Sequence, residues 1–108
     1  MQLLKVDRAQ FFEAVRLTTG TIRRKRQAKA VFTFADGTLR IQVANNVTEV
    51  SAQGEWPGTA KVGAIFLFKV VSPPPEGDPI TLRVDDKRLY VERISTPCEW
   101  IPRSGRAG

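Results

Sequence analysis

Residues 36–54, DGTLRIQVANNVTEVSAQG, decide the fold. They open on Asp36-Gly37, a dipeptide that tolerates the positive φ angles of a tight hairpin turn. Leu39, Ile41 and Val43 then alternate with Arg40 and Gln42, the two-residue period of a half-buried strand. Asn45-Asn46 supplies a second turn. Thr48, Val50 and Ala52 next alternate with Glu49, Ser51 and Gln53. Upstream, residues 28–35 (AKAVFTFA) are rich in β-branched and aromatic side chains, so three strands in a meander are expected.

Further upstream, QLLKV (2–6) reads as a short strand and Asp7 as a helix N-cap. RAQFFEAVRLTT (8–19) has helical spacing, with Phe11, Phe12, Val15 and Thr18 on one face and Gly20 fitting its end. Downstream of Trp56-Pro57-Gly58, TAKV (59–62) suits a short strand. The apolar run GAIFLFKVVS (63–72) suits a helix, and its length alone does not exclude a buried strand. As a helix it places Ala64, Leu67, Phe68 and Val71 on a buried stripe, with Ile65, Phe66 and Lys69 opposite. Two large apolar side chains facing water cost roughly 1.5–3 kcal/mol each against burial. Ile65 and Phe66 are therefore expected at an interface with protein. The stiff loop from Pro73 to Pro79 interrupts any element. ITLRV (80–84), RLYVER (88–93) and STPCEW (95–100) complete the strands, and 103–108 reads as a disordered tail.

The order is thus strand, helix, three strands, short strand, apolar segment and two or three strands, a rough repeat of strand, helix-like segment and meander. The expected class is α+β, one domain over residues 1–102 with a pseudo-repeat.

Composition narrows the chemistry. The 108 residues contain no histidine and one cysteine, Cys98. That excludes an internal disulfide, a Cys/His metal site and histidine-assisted nucleophiles. The turn carboxylates Asp85-Asp86 and Glu76/Asp78 have no third ligand at metal spacing and are explained by turn chemistry. No catalytic residue, metal or cofactor is expected. No apolar stretch approaches the length of a membrane span, and the N-terminus lacks a signal-peptide core. The cytoplasm is the expected compartment.

The charge is unevenly placed. The chain has 17 Lys+Arg against 11 Asp+Glu, net +6. Residues 1–30 hold eight cations and two carboxylates, and the rest of the chain balances to zero. Arg23, Arg24, Lys25 and Arg26 are consecutive, with Lys29 beside them. Such a run repels itself and adds little to a fold, so it points to a polyanionic partner. A solvated loop and an acidic protein partner are the other readings.

Three segments carry a resemblance: VDRAQFFEAVRLTTG, ADGTLRIQVANNVTEV and KVGAIFLFKVVSPPPEGDPITLRVDDKRLYVE. Their succession over residues 2–100 resembles one domain of the bacterial DNA polymerase III β sliding clamp. The resemblance implies a β-α-β3 pseudo-repeat with two helices packed on antiparallel sheets, in a non-enzymatic protein whose helices face duplex DNA without reading sequence, in rings of six such units. Two features depart from it. The segment 21–27 is more basic, and the run 64–71 is more apolar. The expected partners are duplex DNA, replication proteins and further copies of the chain. The alternative is a protein-interaction or regulatory module that does not encircle DNA.

Overall fold

The computed structural model describes residues 2–22, 28–71 and 77–102, the side chains of 19–22 and 71 excepted. The expected disordered tail, 103–108, lies outside them. The elements in order are β1 (Gln2–Val6), α1 (Arg8–Ile22), β2 (Lys29–Ala35), β3 (Thr38–Val43), β4 (Asn46–Glu55), β5 (Gly58–Gly63), α2 (Phe66–Val71), β6 (Ile80–Asp85), β7 (Arg88–Val91), β8 (Ile94–Pro97) and β9 (Glu99–Pro102).

Local chemistry accounts for most boundaries. The Gln10 N–H donates to the Asp7 carboxylate at 2.9 Å, so Asp7 caps α1 as its sequence position predicts. Phe11, Ala14, Val15 and Thr18 form the buried stripe, with Phe12 partly buried beside it. The helix runs past Gly20 to Ile22. Asp36 and Gly37 both have positive φ, 53° and 76°, and close the β2–β3 hairpin. Asp86 and Lys87 repeat that turn between β6 and β7, with φ of 52° and 62°. The carboxylates at 85–86 are therefore turn residues.

All strand pairings are antiparallel, and they form one nine-stranded sheet in the order β8-β7-β6-β1-β4-β3-β2-β5-β9. This corrects the expected α+β class with two helices layered on paired sheets. The protein is mostly β, with two short helices, and both halves of the chain contribute to a single sheet. The reason lies in two strands. β4 pairs with β3 through Asn46–Ser51 and with β1 through Ala52–Glu55. β1 in turn pairs with β6 on its other side. The two meanders are thereby joined.

The second half uses the same device. β8 pairs with β7, and β9 pairs with β5. Only Cys98 separates β8 from β9, so the two ends of the sheet come within ~7 Å of each other along the chain. The sheet is therefore rolled, with β4 and the β8–β9 segment turning its corners. The corners match at the level of hydrogen bonds: the Ala52 N–H donates to the Gly37 carbonyl, and the Cys98 N–H to the Lys87 carbonyl, both at 2.9 Å.

Inside the roll lie Leu4, Val6, Phe32, Leu39, Ile41, Leu82, Leu89 and Val91, all fully buried. Glycine is required where strands approach most closely. A Cβ on Gly54 would stand 2.1 Å from the Leu3 carbonyl oxygen, and its φ of 137° is also unsuited to other residues. Trp56 is buried at the far corner. Its indole N–H donates to the Phe32 carbonyl at 3.2 Å, and its ring meets Trp100 edge-on at 5.5 Å. Core packing thus explains Trp56.

The phase expected for the second helix is also corrected. α2 has six residues, and its buried positions are Phe66, Leu67 and Val70, with Ala64 just before it. Phe66 is 3% exposed and belongs to the core, so it is not an interface residue. Phe68 is only partly buried. Ile65 stays on the surface, 53% exposed, ahead of the first helical turn.

Candidate nucleic-acid interface

The basic run Arg23, Arg24, Lys25 and Arg26 lies outside the described residues. Its neighbour Lys29 is placed: it is exposed and begins β2. Ala30 and Phe32 point into the core, so Lys29, Val31 and Thr33 face outward. Across the ladder, Lys29 pairs with Gly63 and Val31 with Lys61 of β5. Lys61 is on the same outer face because Ala60 and Val62 point inward. It is the diagonal neighbour of Lys29, a separation of ~7–8 Å between Cα atoms.

Among the described residues, neither Lys29 nor Lys61 forms an ion pair. Three arginines do: Arg40 with Glu49 at 3.0 Å, Arg83 with Asp85 at 3.3 Å, and Arg16 with Glu13 at 3.8 Å. Arg83 also stacks on Tyr90 at 4.0 Å, and Arg8 covers Phe12 and donates to the Gly77 carbonyl at 3.0 Å. These guanidiniums have structural neighbours. Lys29 and Lys61 thus stand as two neighbouring cations on one outer face of the sheet. Lys61 escaped the sequence reading because its proximity to Lys29 is a fact of register between β2 and β5.

Helix α1 offers little to phosphate. The outward face of α1 carries Gln10, Glu13, Arg16 and Leu17, and Leu17 is 61% exposed. The 460 Å³ cleft at the β8–β9 corner is also unsuited to it. Asp85, Asp86 and Glu99 outnumber Lys87 in this cleft, which Cys98 and Trp100 also line. Its carboxylates repel phosphate. Burial pushes the Cys98 thiol up from its ordinary range.

Comparison with protein-family models, with curated proteins and with solved structures finds no match to this chain. Among the described residues, no helix is long and apolar enough to cross a membrane.

Proposed function

We propose that the chain is a non-enzymatic protein that makes sequence-independent contact with the phosphates of duplex DNA. The replication machinery is the setting that its resemblance to the sliding clamp implies. One observation carries this reading: the whole net charge of +6 falls in residues 1–30, with four cations in succession. Lys29 and Lys61 support it as two neighbouring cations on one outer face of the sheet, neither in an ion pair among the described residues.

A second reading, a protein-interaction module that does not surround DNA, is supported by the exposed Leu17 and Ile65. The two readings separate in one experiment. A fluorescent duplex of arbitrary sequence is titrated at several salt concentrations. Phosphate contact gives a steep log–log salt dependence, about 0.9 per phosphate neutralised. Replacing Arg23, Arg24, Lys25 and Arg26 by Ser lowers affinity and flattens that slope, and Leu17→Ser with Ile65→Ser leaves both unchanged. Equal binding by the quadruple variant and the parent would reject the DNA reading.

A further inference from the structure

The two corner strands differ in what they leave unpaired. In an antiparallel ladder, alternate residues turn their N–H and C=O groups toward one neighbour and the rest toward the other. The two-residue β3–β4 turn makes Val43 and Asn46 a hydrogen-bonded pair. Asn46, Thr48, Val50 and Ala52 of β4 therefore bond toward β3, as the Ala52 N–H to the Gly37 carbonyl confirms. Val47, Glu49, Ser51, Gln53 and Glu55 point to the other side. There, Gln53 and Glu55 meet β1, and the Ser51 N–H donates to the Gln10 side chain at 3.4 Å. Among the described residues, nothing pairs with the backbone of Val47 and Glu49.

The same count on β8 gives a different result. Ile94 and Thr96 bond toward β7, and Cys98 continues the series. Ser95 and Pro97 point away. Proline has no N–H, so this edge offers a single donor and is blunted as natural edges commonly are. The first edge has two donors and two acceptors at i, i+2 spacing and no proline. A head-to-tail contact would join a complete edge to a deficient one. A two-fold contact joins the complete edge to itself.

We infer that the β4 edge is a dimerisation surface, where Val47 and Glu49 of one copy pair antiparallel with Glu49 and Val47 of a second copy about an axis at Thr48. This register satisfies all four free N–H groups with all four free carbonyls. It places the exposed Val47 opposite Glu49 of the other copy. Each Glu49 is already neutralised by its own Arg40 at 3.0 Å, which lowers the cost of bringing two carboxylates into one interface. The alternative register, with Glu49 directly opposite Glu49, sets like charges face to face and is disfavoured. The inference is independent of the DNA reading, because none of the residues of the basic run takes part.

The test is the solution mass by sedimentation equilibrium, with no DNA present. The parent is expected at twice 12.0 kDa. Val47→Asp puts two symmetry-related like-charge pairs in the interface and weakens association about ten-fold. Val47→Lys instead sets a cation opposite Glu49 in both cross-pairs, leaves the Arg40–Glu49 pair in place and keeps the dimer. Val47 is exposed, so circular dichroism should show an unchanged fold in both variants. Amide exchange gives a second readout: Val47 and Glu49 exchange more slowly in concentrated than in dilute parent protein, and Ser95 does not. A parent that stays monomeric when concentrated, a Val47→Asp variant that dimerises like the parent, or a Val47→Lys variant as weak as Val47→Asp would each overturn this pairing.

Discussion

The two halves of the molecule, residues 2–55 and 58–102, are built alike and loaded differently. The first half runs strand, helix, three strands and the second strand, helix, four strands, and each turns a corner on a backbone hydrogen bond of 2.9 Å. The first half has a helix of 15 residues, the other one of six. The first half also carries the basic run and the complete edge. The second carries a proline-blunted edge and an acidic cleft. A backbone plan therefore fixes how strands meet without fixing what the surface does. Function follows from side chains placed on equivalent positions of that plan.

The largest expected effects lie in the core, where the two helices can be compared. Phe66→Ala removes a 3%-exposed ring and should cost about 3–5 kcal/mol in chemical denaturation. Ile65→Ser, one residue away and 53% exposed, should stay within about 0.5 kcal/mol. Equal losses at the two positions would mean that both side chains are core and that α2 has another phase.

The corners sharpen the comparison further. Gly54→Ala forces a Cβ against the Leu3 carbonyl and demands a φ of 137° from a residue that avoids it. A loss of roughly 1–3 kcal/mol is expected from the backbone alone, with further loss from displacing β1. Gly37→Ala has a φ of 76° but open space around it, and should cost about 1–2 kcal/mol. A Gly54 variant no worse than the Gly37 variant would show that β1 and β4 do not approach as closely as described.

A smaller effect separates the corner residues Ala52 and Cys98. The folded-state pKa of the Cys98 thiol is raised by burial. Its stabilising contribution is thus fully present below the unfolded pKa and is lost as pH rises through the folded one. Stability should decline in mildly alkaline solution in the parent, and that decline should be shallower in Cys98→Ser. Identical pH profiles would mean that the thiol is solvated when folded.

Much of this arrangement was readable in the sequence, for stated reasons. Asp36-Gly37, Asp7 and the alternation from Leu39 to Gln53 are local signals, and the structure follows them. The α1 stripe of Phe11, Val15 and Thr18 extends over about two turns of a 15-residue helix, which is enough to fix its phase. α2 spans less than two turns, so Phe66 and Phe68 could exchange roles without violating any spacing. The class was misread because β1 lies between β4 and β6, a pairing across some fifty and eighty residues of chain that no local pattern encodes. The same holds for Lys61 beside Lys29, and for the split of STPCEW at Cys98 into strands at opposite ends of the sheet.

The central proposal is that phosphate contact centres on the basic run of residues 23–26. Two variants of equal net charge test it: Arg23, Arg24 and Arg26 changed to Ser, and Lys69, Lys87 and Arg93 changed to Ser. The measurement is the salt dependence of binding to one short duplex. The first variant should lose up to about 2.7 from the log–log slope, and the second should keep the parent's slope and affinity. An equal fall in both would show that binding reflects overall charge rather than a site, and would contradict the account.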